Sequence, residues 1–68
     1  MNCYVLSDDD AGVLCVFDNI PSSSQIHEFA RTPLSEVEVK VLLADFEVYA
    51  EEGFYSIKEV PLVYGNDL

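Results

Sequence analysis

The side chains able to do covalent or acid–base chemistry are few in this sequence. His27 is the only histidine, and Cys3 and Cys15 are the only cysteines. Nucleophilic catalysis needs a serine or cysteine beside a general base, and no Gly-x-Ser-x-Gly or Cys-Gly-x-Cys context surrounds any of them here. One imidazole and two thiols also fall short of a four-ligand zinc site. His27 therefore reads as a helix-surface or semi-buried residue, and the cysteines as buried thiols. Asp8, Asp9 and Asp10 could chelate Ca²⁺ or Mg²⁺, but an EF-hand loop alternates its ligands and closes with a bidentate glutamate. With Asp8 in first place, that glutamate would fall at position 19, which is Asn. The triplet reads instead as a solvated hairpin tip. Gly12, Gly53 and Gly65, the only glycines, make no phosphate-cradling loop. The 13 acids offer many carboxylate pairs, yet so short a chain is expected to struggle to form the ~300–1,000 Å³ cleft of a small-molecule site. Neither an enzyme nor a cofactor nor a metal is expected.

What the acids do offer is charge. They stand against Arg31, Lys40 and Lys58, for a formal net charge of -10. Such a field repels the phosphates of nucleic acid and of anionic membranes. It favours a basic partner, and Lys/Arg-lined nucleic-acid-binding grooves are a common basic surface. The plainer reading of the same charge is solubility. Half the residues are hydrophobic, which argues for a folded chain. Its 68 residues suit a single domain, 1–68. Met1 to Ser7 has no basic region of a signal peptide, and no apolar run approaches the ~20 residues of a membrane span. The cytoplasm is the expected location.

The elements that must position these residues are legible in outline. Cys3 to Ser7 and Val13 to Phe17 are apolar runs of strand length, separated by Asp8-Asp9-Asp10-Ala11-Gly12, a turn sequence. They predict an antiparallel hairpin. Ser22, Ser23 and Ser24 offer helix N-caps, and Gln25 to Arg31 fits a short helix burying Ile26 and Phe29 or Ala30, or else a loop or short strand. Ser35 and Glu38 fit a capping box, and Gly53 a helix stop. Between them Val39, Leu42, Leu43, Phe46, Tyr49 and Ala50 recur at helical spacing, which predicts one main helix over roughly 35–51. The rival pattern is a strand: Val37, Val39 and Val41 alternate with charged residues, and Phe46, Val48 and Ala50 could continue as another strand that turns at Glu52-Gly53. Phe54 to Val60 predicts a further strand, ended or marked as an edge by Pro61 or extended through Leu62-Val63-Tyr64. The expected fold is α+β: an N-terminal hairpin and a C-terminal strand in a small antiparallel sheet, covered by the main helix.

On that helix the acids would form two lines. At ~100° per residue, Glu36, Glu47 and Glu51 form one stripe, and Glu38, Asp45 and Glu52 the other, the latter spaced by ~10.5 Å. Between them lie Val37, Val41, Ala44 and Val48. An apolar ridge flanked by carboxylates is a candidate docking face, with apolar contact for affinity and charge for steering. Asp8, Asp9 and Asp10 would extend the field from the hairpin tip. The opposite expectation is that the ridge packs on the sheet or on the 20–31 segment.

Small size, a pI near 4.1, scarce catalytic residues and acidic stripes on an α+β body resemble phage-encoded inhibitors of the anti-CRISPR and DNA-mimic type. The resemblance covers the whole chain in character only, because such inhibitors share no general motif. It implies a stoichiometric inhibitor that masks a basic groove of a bacterial defence complex or another nucleic-acid-handling complex. The alternative is a small structural or adaptor protein that docks or dimerises through the apolar ridge, with its acidity serving solubility.

Overall fold

The computed structural model describes residues 2–61, as a four-stranded antiparallel sheet with two helices on one face. Strand β1 (Asn2–Asp8) and strand β2 (Gly12–Phe17) form the expected hairpin. Helix α1 (Ser23–Phe29) and helix α2 (Glu36–Asp45) follow. A short strand β3 (Glu47–Ala50) then turns through Glu51-Glu52 into the long strand β4 (Gly53–Pro61). Spatial order is β2-β1-β4-β3, so the last strand of the chain lies beside the first. The suggested extension through Leu62-Val63-Tyr64 lies outside the described residues.

Local chemistry accounts for where the helices begin. Ser22 accepts a hydrogen bond from the Gln25 backbone N–H, and the Gln25 side chain accepts one from the Ser22 N–H, a complete capping box. Ser35 and Glu38 repeat the device at α2. Each box satisfies two of the helix N–H groups that have no partner in the first turn.

The end of α2 corrects the expected 35–51 helix. It stops at Phe46, which adopts left-handed backbone angles (φ 62°, ψ 15°) and donates its N–H to the Leu42 carbonyl. Glycine would bear that conformation without steric cost. Phe46 bears it with its ring edge-on to Tyr4, 6.4 Å between centroids. Its own carbonyl accepts from Ile57 N–H, so the residue that ends the helix already pairs with β4. Residues 47–50 are thus a strand, as the rival pattern had it, whereas Val37–Val41 are helical. Two of the expected core-stripe residues, Val39 and Leu42, are buried; Tyr49 is 81% exposed.

Alternation along the strands sorts residues between two faces. The face covered by the helices carries Leu6, Val48, Tyr55 and Ile57, which join Ile26, Leu34, Val39 and Leu42 in the core. Phe29, expected as a burial candidate, is exposed but stacks edge-on against Phe17. A register shift between Leu6 and Ser7 marks a bulge in β2 at the sheet edge, and Leu14 packs there against the core. Among the described residues no helix lies over the opposite face. Strand register sets out its rows: Tyr49 and Phe54 beside Asp9; Glu47, Ser56, Ser7 and Val13; Lys58, Val5 and Val16; Val60 and Cys3.

Candidate functional site

Asp8 shows how the sheet end is built. It is the last residue of β1 and faces the helices, which leaves it only 8% exposed. Its Oδ1 accepts hydrogen bonds from the Asp10 and Ala11 N–H groups and so shapes the turn. Its Oδ2 accepts from Arg31 Nε at 2.7 Å, and Arg31 Nη2 reaches Asp10 at 3.2 Å. Burial raises the affinity of the Asp8 carboxyl for its proton, but the Arg31 bond, the two N–H bonds and the guanidinium charge together hold its pKa below the ordinary value. Arg31 is raised in turn, first by its bond to Asp8 and then by the charge of that carboxylate. Asp8 is thereby a structural carboxylate, not the solvated, partner-facing one expected at a hairpin tip.

Arg31 reaches this place because the linker between the helices is pinned. The Tyr55 ring is fully buried, and its hydroxyl accepts from the Thr32 backbone N–H at 2.9 Å. That leaves the phenolic proton for Thr32 Oγ1 at 2.7 Å. Tyr55 lies opposite Asp8 in the β1–β4 pairing, so one hydroxyl delivers the neighbouring arginine to the turn.

The second turn comes to the same end of the sheet. Asp9 donates its N–H to the Phe54 carbonyl at 3.1 Å, while its Oδ1 accepts the Phe54 N–H at 3.1 Å. This exchange continues the β1–β4 ladder one step beyond the strand. It sets the Asp9-Asp10-Ala11 tip beside the Glu51-Glu52 turn, where Asp9, Asp10, Glu51 and Glu52 are all exposed. Four exposed carboxylates thus share one end of the sheet, and of the acids there buried Asp8 and exposed Asp10 are bonded to Arg31.

The predicted stripes do not survive the break at Phe46. Glu36 stays in the first turn of α2, but Glu47 opens β3 and Glu51 lies in the turn, so these three share no helix face. Glu38 and Asp45 do share α2, though Glu38 is half-buried and engaged in the capping box, and Glu52 belongs to the turn. The ridge is shortened likewise. Val37 is 70% exposed, and Val41 and Ala44 are exposed, but Val48 is only 7% exposed and belongs to the core. What sequence reasoning missed is the pairing of Tyr49 with Phe54 on the uncovered face, with centroids 4.5 Å apart and planes tilted by 41°. The alternation of β3 carried that signal.

His27 is exposed, as expected of a helix-surface residue. With Ser23, Ser24, Glu36, Val39, Lys40 and Leu43 it lines an open groove of about 470 Å³ between the helices. A groove of that volume corrects the expectation that the chain would struggle to form one. Neither serine hydroxyl is bonded to His27 among the described residues, so no nucleophile–base pair is assembled there. Cys3 and Cys15 are free thiols and half-buried. No group of three or more potential metal ligands is clustered among the described residues, and no helix described is long and apolar enough to cross a membrane.

No protein-family model, curated protein or solved structure matches this chain.

Proposed function

We propose that this protein is a non-catalytic, stoichiometric inhibitor that docks its acidic sheet end onto a basic, nucleic-acid-binding groove of another macromolecule. The supporting observation is the convergence of Asp9, Asp10, Glu51 and Glu52 at one end of the sheet, from two turns about 40 residues apart in the chain. Like charges gathered at one sheet end repel one another, and a cationic surface relieves that repulsion. Arg31 offsets only part of it. The partner class is a nucleic-acid-handling complex, and in character the protein resembles phage inhibitors of bacterial defence complexes acting in the host cytoplasm. Direct binding to nucleic acid or membrane is disfavoured by the same charge.

The uncovered sheet face supports a second reading. Val13, Val16 and Tyr49 are exposed there, as an adaptor or a homodimer would need.

The test is capture from bacterial lysate with the tagged chain, with and without nuclease treatment, followed by binding measurements on the purified partner. Affinity should fall as salt rises through ~0.1–0.5 M, where the screening length drops well below 10 Å. The partner's own DNA or RNA should compete. Glu51→Lys with Glu52→Lys should weaken binding more than the alanine pair, because lysine adds repulsion where alanine only removes attraction. Binding indifferent to salt, charge reversal and nucleic acid would refute the inhibitor reading and leave the adaptor one.

A further inference from the structure

The acidic sheet end adjoins an apolar feature with its own geometry. Tyr49 and Phe54 lie opposite each other on β3 and β4, on the face that no helix covers among the described residues. Tyr49 is the most exposed of the large hydrophobic residues described, at 81%. The row runs Tyr49, Phe54, Asp9, with the Asp9 carboxylate held against the Phe54 backbone. Glu47 stands two residues before Tyr49 on the same face of β3, about 7 Å away by strand geometry. Glu51 and Glu52 follow directly in the turn. A pair of rings, Tyr49 on the edge strand β3 and Phe54 on its inner neighbour β4, is therefore bordered by carboxylates along β3, in the turn and across the row.

We infer that the Tyr49–Phe54 pair receives an arginine side chain of a basic protein segment, its guanidinium stacked on the rings and its N–H groups directed to Glu47 and the neighbouring acids. This rests on the proposed docking to a basic partner and names the contact that gives it chemical preference. The negative face of an aromatic ring attracts a cation. A guanidinium is planar and weakly hydrated, so it stacks while its rim of N–H donors stays available to carboxylates; an ammonium has no such plane. Among the described residues the nearest cation on that face is Lys58, two rows from Phe54 along β4. That spacing is about 13 Å, beyond the ~8 Å screening length of physiological salt. A second copy is a poor occupant: each carries -10, and pairing these faces would set Glu47, Asp9 and the turn acids of both copies together. Phosphate is excluded by the same acids.

The experiment titrates the isotope-labelled full chain with a peptide of Arg-Gly repeats and with its Lys-Gly counterpart, at ~0.15 M salt, following backbone amide shifts. The Arg peptide should bind more tightly than the Lys peptide, with the largest shifts at Glu47, Tyr49, Phe54 and Asp9. Tyr49→Ala should weaken the Arg peptide about two- to fivefold, the range of an exposed cation–π contact, and should narrow the Arg-over-Lys preference. Tyr49→Phe should retain both. Tyr49 is outside the core, so the variant's dispersed spectrum checks that the fold is kept. If Tyr49→Ala changes neither affinity nor preference while reversal of Glu51 and Glu52 still weakens binding, this inference is overturned and the acidic docking reading stands. If neither peptide binds in a salt-dependent way, both fail. If the Tyr49 and Phe54 signals shift on dilution of the protein alone, the face is a self-association surface and the inference is overturned.

Discussion

Replacing Tyr55 with phenylalanine removes one oxygen atom from the interior and keeps the ring. The structure allows its cost to be worked out. The hydroxyl makes two hydrogen bonds, one from the Thr32 N–H and one with Thr32 Oγ1. Each contributes about 0.5–1.5 kcal/mol net. The deletion also leaves the Thr32 N–H without this acceptor, at up to ~1–3 kcal/mol if water cannot replace it. Thr32 is half-buried, so partial hydration offsets some of that, and a loss of about 2 kcal/mol follows. A domain this small holds roughly 3–5 kcal/mol in total, and each kcal/mol moves its melting temperature by ~4–8 °C. Tyr55→Phe should therefore melt about 8–16 °C below the wild type, by circular dichroism, with a parallel drop in urea midpoint. In a Thr32→Val background the same change should cost less, because one partner of the hydroxyl is already gone. The substitution should also loosen Arg31 from Asp10, because Thr32 no longer holds the linker down. A melting temperature within ~2 °C of wild type would refute the pinning argument, since that corresponds to less than ~0.5 kcal/mol.

Acid should weaken the fold through Asp8. Its folded pKa is depressed, so its contribution is complete above roughly 4, the ordinary aspartate value, and is lost as pH falls through the lower folded value. Asp8→Asn should flatten that part of the stability–pH curve in urea titrations, whereas Asp10→Asn should leave most of it; equal slopes for wild type and Asp8→Asn would contradict the assignment. Gly12→Ala isolates a backbone effect, because nothing lies within 4 Å of the added methyl yet the residue has φ +81°. It should cost about 1 kcal/mol by thermal melting, and a stabilised variant would show that the turn relaxes to another conformation.

The parts of this protein legible in its sequence are those set by interactions within one turn or one hairpin. Asp8-Asp9-Asp10-Ala11-Gly12 joins β1 to β2 because short acidic side chains accept from nearby N–H groups and Gly12 tolerates positive φ. Ser35 and Glu38 start α2 because each bonds the other's backbone three residues away. Net charge and the scarcity of nucleophile–base candidates are likewise properties of composition. Residues 46–50 obey no such local rule. Their apolar pattern suits helix and strand alike, and the choice falls to β4, which offers an open edge only because β1, some 50 residues earlier, holds its other side. Pairing with β4 then ends α2 at Phe46, a residue that carries no glycine-like stop signal, and in doing so buries Val48 and exposes Tyr49. The candidate site follows the same division. That the chain is acidic is written in its composition; that Asp8 is held inside the fold, while Asp9, Asp10, Glu51 and Glu52 share one sheet end beside exposed Tyr49 and half-buried Phe54, is decided by strand register, which couples residues no local pattern connects.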